Sequence, residues 1–168
     1  LIKFSKLKNS PITINITITN NKLAKGLNYG DIFKIKKKII NFKNKEVAEK
    51  KILNELKIHK IELVCLAGFM KILSKNFIKN FKGKILNIHP SLLPKYKGLN
   101  THQRAIQNKD KYSGCTVHFV NEKLDSGKII LQKKVNILNK DTPVSLAKKI
   151  LAQEHKLYPK AILKIFNL

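Results

Sequence analysis

In the stretch Leu86-Asn87-Ile88-His89-Pro90-Ser91-Leu92-Leu93-Pro94 an amide and an imidazole stand two positions apart. On an extended strand that spacing turns Asn87 and His89 to one face and Ile88 to the other. The pair combines a hydrogen-bond donor with a group that can carry a proton near neutral pH. Pro90 cannot continue a central ladder, so it puts the pair at the C-terminal end of its strand, where open α/β sheets bind ligands. Spacing alone leaves another reading open, in which Asn87 caps a turn and His89 is a structural imidazole with satisfied ring nitrogens.

Elements of both kinds alternate around that stretch. Leu1 to Lys8 has the pattern of a helix already under way, broken by Pro11, and Ile12, Ile14, Ile16 and Ile18 then alternate with polar residues as in a strand. Asn20 to Gly30 carries turn residues, and Ile32 to Ile40 predicts a short strand and loop. Ala48, Ile52, Leu53 and Leu56 give Lys45 to Lys57 the apolar stripe of a helix. Glu62 to Ala67 reads as a central parallel strand covered on both faces. Ser74 can cap a short helix through Asn80, before a second buried strand at Lys84 to Ile88. Thr101 to Asn108 predicts a helix, and Gly114 to Val120 and Lys128 to Ile137 predict strands joined by Asn121 to Gly127. A long amphipathic helix starts at Asp141-Thr142-Pro143, with a break or kink expected near Pro159. The order predicts an α/β, doubly wound, Rossmann-like and mostly parallel sheet with an antiparallel strand pair near its C-terminal end, in a single domain spanning residues 1–168.

The chain has 168 residues with 43% hydrophobic content, enough for one sizeable core. No run approaches the roughly 18 apolar residues of a membrane span, and the N-terminus has no signal-like segment, so a soluble cytoplasmic protein without membrane contact is expected. Cys65 and Cys115 each lie in an apolar stretch without zinc-ligand spacing, which predicts buried reduced thiols and no metal. The net charge is +25, but Arg104 is the only arginine among 35 basic residues and the lysines are spread along the whole chain. That pattern suits solvated faces and a codon bias toward A and T better than specific nucleic-acid readout, which favours the planar arginine fork. A bias toward small anionic substrates remains, and the expected assembly is a monomer or a weak homodimer.

The segment Asn87 to Pro94 resembles the signature of the folate-dependent formyltransferases. Leu66-Ala67-Gly68-Phe69-Met70-Lys71-Ile72-Leu73-Ser74 upstream extends the resemblance, as do Lys95-Tyr96-Lys97-Gly98-Leu99-Asn100-Thr101-His102, Val117-His118-Phe119-Val120 and Leu124-Asp125-Ser126-Gly127 downstream. Together they are most similar to the glycinamide-ribonucleotide branch of that family, in register from about Ile12 to the C-terminus. Methionyl-tRNA formyltransferases follow the shared segment with a different run and carry a further C-terminal domain. Formyltetrahydrofolate deformylases usually have a second His where Pro90 stands here. A hydrolase that gives the formyl group to water is the alternative reading, and a lysine-rich nucleic-acid binder without catalysis is a third.

The resemblance implies transfer of the formyl group of 10-formyltetrahydrofolate to the amine of glycinamide ribonucleotide in purine biosynthesis, with no metal. It implies a catalytic set of Asn87, His89 and Asp125: the first two would donate hydrogen bonds to the formyl oxygen as it gains charge, and Asp125 would orient His89 and favour its imidazolium. Met70, Lys71, Ile72 and Leu73, with Val120, Asn121 and Glu122, correspond to the segments that hold the folate. Lys71 stands where many members carry arginine, which keeps the charge but gives up a bidentate fork. Lys45, Pro90 and Glu154 correspond to nucleotide-contacting positions, and His102 and His118 are candidates for the pocket or its immediate support. The family's first strand and phosphate-cradling loop have no counterpart here, since Leu1 to Lys8 corresponds to the tail of the helix that follows them. The expectation is therefore an incomplete sheet, low stability and weakened nucleotide binding.

Overall fold

The structure, a computed structural model, describes residues 1–168. The chain forms two compact units, one of Leu1–Glu62 with Leu73–Gly83 and one of Leu63–Ile72 with Lys84–Leu168.

The first unit holds α1 (Ile2–Ser5), β1 (Ile16–Thr19), α2 (Gly26–Ile32), β2 (Lys36–Ile39), α3 (Lys45–Ile58) and α4 (Lys75–Asn80). The N-terminal helix is shorter than its pattern predicts and ends well before Pro11; the Ser5 hydroxyl donates back to the Ile2 carbonyl at 2.8 Å, the kind of local bond that competes with helix extension. The expected strand from Ile12 is confined to Ile16–Thr19, because its parallel partner offers only Lys36 to Ile39 to pair with. α2 falls where turn residues predicted a loop. Its sequence Gly-Leu-Asn-Tyr-Gly-Asp-Ile is poor in helix formers, and burial of Leu27 and Gly30 outweighs that propensity.

α3 starts where its pattern says. The Asn44 side chain accepts the Val47 N–H at 3.1 Å, and Ala48, Ile52 and Leu56 are buried along one stripe. Glu49 lies on the same stripe and is only 5% exposed. Its carboxylate is satisfied by the Ser74 backbone N–H at 2.8 Å and by the Ser74 hydroxyl. The same Ser74 oxygen accepts the Phe77 N–H at 3.0 Å and so caps α4, as the sequence predicted.

The second unit is a four-stranded sheet in the order β3 (Leu63–Leu66), β4 (Lys84–His89), β5 (Tyr112–Phe119), β6 (Ile129–Asn136). β3 runs parallel to β4, while β4/β5 and β5/β6 are antiparallel, so the expected α/β class with both kinds of pairing is present. β3 was expected to be central and covered on both faces; it bonds only to β4 at the end of this ladder and is half-buried throughout.

α5 (Thr101–Gln107) and α6 (Pro143–Phe166) complete the unit, with α6 packed on β5, β6 and α5. α6 opens with reciprocal bonds between Thr142 and Ser145 and buries Leu146, Ile150, Leu157, Tyr158, Ala161 and Ile162. The helix does not break at Pro159 but continues to Phe166. Burial of Leu157, Ala161 and Ile162 on either side, at about 1.5–3 kcal/mol per large side chain, offsets the backbone bond that proline removes. The Tyr158 hydroxyl lies 2.9 Å from the Leu66 carbonyl and 3.1 Å from that of Leu86, bridging the end of β3 and the middle of β4. Both cysteines are free, and burial pushes the thiol of Cys115 up to about 12 and that of Cys65 to about 11. No helix is long and apolar enough to cross a membrane.

Candidate active site

Strand pairing explains why three of the predicted residues meet. Asn87 on β4 is the direct partner of His118 on β5, and His89 is the partner of Thr116. The Asn87 amide therefore stands 3.3 Å from His118 Nε2. His118 Nδ1 is 2.8 Å from the Phe119 carbonyl, which turns Nε2 toward Asn87 and Asp125.

Asp125 comes from the loop after β5. Its carboxylate is 3.3 Å from His89 Nδ1, 3.5 Å from the Asn87 amide and 3.7 Å from His118 Nε2, and it accepts the Gly98 N–H at 2.9 Å. The residue has φ of 44°, a left-handed conformation that a turn aspartate tolerates. Gly127 closes the loop against the strand; a Cβ there would stand 1.7 Å from the Phe119 carbonyl oxygen, so no other residue fits. Burial alone would raise the Asp125 pKa, but hydrogen bonding from His118 and Gly98 and the charge at His89 outweigh it and hold the carboxyl below its ordinary value.

His89 is 6% exposed, and both of its nitrogens face acceptors: Nδ1 the Asp125 carboxylate and Nε2 the Tyr96 carbonyl at 2.8 Å. A neutral ring can donate to only one of them, whereas an imidazolium donates to both. His102, on the first turn of α5, has its Nδ1 buried without a hydrogen-bond partner. Burial first, and the charge at His89 second, lower its pKa, so a neutral ring is favoured.

Under this group lies a polar scaffold that sequence reasoning missed. Thr116, fully buried, donates to the Ser91 carbonyl at 2.6 Å and accepts from the Leu93 N–H at 3.1 Å and from the Gln132 amide at 2.8 Å. Gln132 also donates to the Leu93 carbonyl at 2.9 Å, and Ser91 to that of Lys95 at 2.6 Å. The available signal was a hydroxyl inside the otherwise apolar run Cys115-Thr116-Val117, since a buried polar side chain must find partners.

The remaining candidates are more dispersed. Met70 and Ile72 are 74% and 55% exposed, and Lys71 is exposed beside them. Leu73 is buried and belongs to the first unit. Val120 donates its N–H to Ile85 at 2.9 Å, extending the ladder, while Asn121 accepts the Lys123 N–H in a tight turn that exposes Glu122. Pro90 is half-buried, in a turn where the Ser91 N–H bonds the His89 carbonyl. Glu154, on α6, is half-buried with no hydrogen bond or ion pair, and its pKa is raised by burial. Lys45 opens α3 in the first unit, lining a cleft with Glu49, Lys50 and Ser74. No group of three or more His, Cys, Asp and Glu side chains is arranged to hold a metal ion.

Comparison with known proteins identifies the family of the chain. The family described as Formyl transferase matches residues 1–162. The chain is 44% identical over 155 residues to the phosphoribosylglycinamide formyltransferase of Haemophilus influenzae, covering 90% of this chain and 73% of that one. It is 41% identical to the human trifunctional purine biosynthetic protein adenosine-3, of whose length it spans 16%. A solved structure of the phosphoribosylglycinamide formyltransferase from Brucella melitensis matches with a TM-score of 0.91 at 41% identity, over 99% of this chain and 86% of that one. The chain belongs to the formyl transferase family.

Proposed function

We propose that this chain is a single formyltransferase domain that moves the formyl group of 10-formyltetrahydrofolate to the amine of glycinamide ribonucleotide, in the cytoplasm, as a monomer or weak homodimer. The observation that carries the reading is the convergence of Asn87, His89 and Asp125 at the end of β4, within a chain of this family.

In the transfer, the acceptor nitrogen forms a bond to the formyl carbon, the bond from that carbon to the folate nitrogen breaks, and the proton lost by the amine ends on the departing nitrogen. Negative charge develops on the formyl oxygen in between. The Asn87 amide is a donor for that oxygen. The His89 ring becomes a second donor once Nε2 exchanges the Tyr96 carbonyl for substrate. Asp125 keeps Nδ1 engaged from the opposite side of the ring, which fixes the ring's orientation. Its depressed pKa keeps the carboxylate ionised for this role at neutral pH.

The exposed apolar side chains of Met70 and Ile72 beside Lys71 suit a flat pterin with an anionic tail. Val120, Asn121 and Glu122 would border the same ligand. The unpaired, half-buried Glu154 is a suitable partner for an amine or ribose hydroxyl, and Lys45 for a phosphate. No metal is required by any of these roles.

The test is formyl release from a 10-formylfolate analogue, with and without glycinamide ribonucleotide. Release should depend on the ribonucleotide, and His89→Ala should lower the rate about 100- to 1,000-fold, the usual cost of one lost oxyanion donor. Equal release without the acceptor would mean that water is the true acceptor, and the transferase reading would be abandoned.

A further inference from the structure

Tyr96, Lys97, Gly98 and Leu99 form a loop that touches the catalytic group from two directions. Tyr96 gives its carbonyl to His89 Nε2 at 2.8 Å, and Gly98, two residues on, gives its N–H to Asp125 at 2.9 Å. The loop thus sets one partner of each residue and with them the separation of imidazole and carboxylate. Its backbone does not hold this shape unaided, for Tyr96, Gly98 and Asn100 all have positive φ, at 54°, 77° and 57°. Left-handed backbone at a tyrosine persists only where surrounding contacts over-determine it.

Those contacts come from α5 and the residues just after it. The Arg104 guanidinium lies over the Tyr96 ring, 5.0 Å from its centroid, while Nη1 donates to the Lys97 carbonyl at 2.8 Å and approaches that of Leu99 at 3.4 Å. At the ring's far edge the Tyr96 hydroxyl donates to Asp110 at 2.8 Å and accepts from the Asn108 amide at 2.9 Å. Arg104 is the only one of these groups that holds both the tyrosine and the backbone on either side of Gly98.

We propose that Arg104 is a positioning residue for the formyl transfer, holding the Tyr96–Leu99 loop in the shape that presents the Gly98 N–H to Asp125 and, before substrate takes its place, the Tyr96 carbonyl to His89. The residue type supports the inference independently. In a chain where 34 of 35 basic residues are lysine, the single arginine occupies the position where a planar guanidinium stacks on an aromatic ring while one of its nitrogens reaches two carbonyls. Lysine, a point charge on a flexible stem, cannot do both at once. The charged and titratable groups around Asp125 are His89 from β4, His118 from β5 and, through Ser126, Lys97 from the loop itself. Arg104 reaches none of these side chains and touches Lys97 only at its carbonyl, so its influence runs through the backbone of the loop.

This inference rests on the proposed function for its kinetic readout but not for its spectroscopic one. Arg104→Ala and Arg104→Lys are compared with the parent chain by following the Gly98 amide proton by NMR as pH is lowered through the titration of Asp125, and by formyl-transfer kinetics. In the parent, the Gly98 amide should shift as the carboxylate it bonds is protonated. That response should vanish in Arg104→Ala and shrink in Arg104→Lys, with kcat down about 100-fold and about 10-fold and KM for both substrates nearly unchanged. A Gly98 response intact in both variants would overturn the proposal, as would a parent-like kcat in Arg104→Ala. Arg104→Lys keeps the charge and the helix, so it answers the question if the alanine variant fails to fold. A Gly98 response lost in Arg104→Ala, in a parent chain that transfers no formyl group, would uphold the role of Arg104 and sink the proposed function instead.

Discussion

The two units are made of similar elements but are held together differently. In the second, buried apolar surface and buried polar partners coincide: Leu86, Val117, Leu146 and Ile150 are fully enclosed, and the fully buried hydroxyls of Thr116 and Ser91 are satisfied within the same layer. In the first, neither strand contains a buried residue. The core there is made by the stripe of α3 with Leu27, Ile35, Ile40 and Phe77 from outside its strands, joined by the Glu49–Ser74 link. The contrast teaches that the geometry of the candidate site is carried where strand pairing, side-chain packing and hydrogen-bond satisfaction agree, because each then fixes the others.

The largest effect that would test this contrast is a cavity. Leu146→Ala, at a side chain with no exposure, should cost about 2–5 kcal/mol in denaturant unfolding, against about 1 kcal/mol for Ile16→Ala on half-buried β1. Equal losses would erase the distinction between the units. Thr116→Val keeps shape and removes the shared hydroxyl, leaving the Leu93 N–H and a Gln132 proton without their acceptor. A loss of about 1–3 kcal/mol is expected, together with reduced formyl transfer. A stable, fully active Thr116→Val would show that packing alone supports the site.

A smaller effect appears in acid. Asp141, held at a pKa of about 2 chiefly by Lys149, also accepts from the Leu138 N–H and from Ser145 at the start of α6. A carboxyl depressed in the folded state stabilises above its unfolded pKa and loses that contribution as pH falls, here between about 4 and about 2. Asp141→Asn should flatten the melting temperature across that window, and an unchanged slope would assign the acid sensitivity elsewhere. The smallest effect belongs to the exposed Glu46–Lys50 pair on α3, where Glu46→Gln should change stability by less than about 0.5 kcal/mol.

Much of the second unit was legible because its signals are local. The start of α6 at Pro143 and the shared face of Asn87 and His89 each follow from a residue type at a fixed offset. The first unit was less legible for the converse reason. α2 forms against its own propensities through burial of Leu27 and Gly30, and β1 is trimmed by the length of a partner some twenty positions away. Within the site, strand spacing singled out His89 and the family resemblance Asp125, but neither pointed to the Tyr96 carbonyl or the Gly98 N–H, since backbone partners carry no residue-type signature. The continuity of α6 through Pro159 likewise depends on what the helix packs against and not on the proline itself.

Tyr158, which ties the carbonyls of Leu66 and Leu86, also has a spectroscopic consequence. The chain contains four tyrosines and no tryptophan, and Tyr158 is its only buried tyrosine, at 4% exposure. Near-ultraviolet circular dichroism should therefore be dominated by one phenol at the junction of β3 and β4, a signal lost when side-chain packing loosens even if helices persist. The protein thus carries its own optical gauge of whether the sheet beneath Asn87 is intact, readable without substrate, label or turnover.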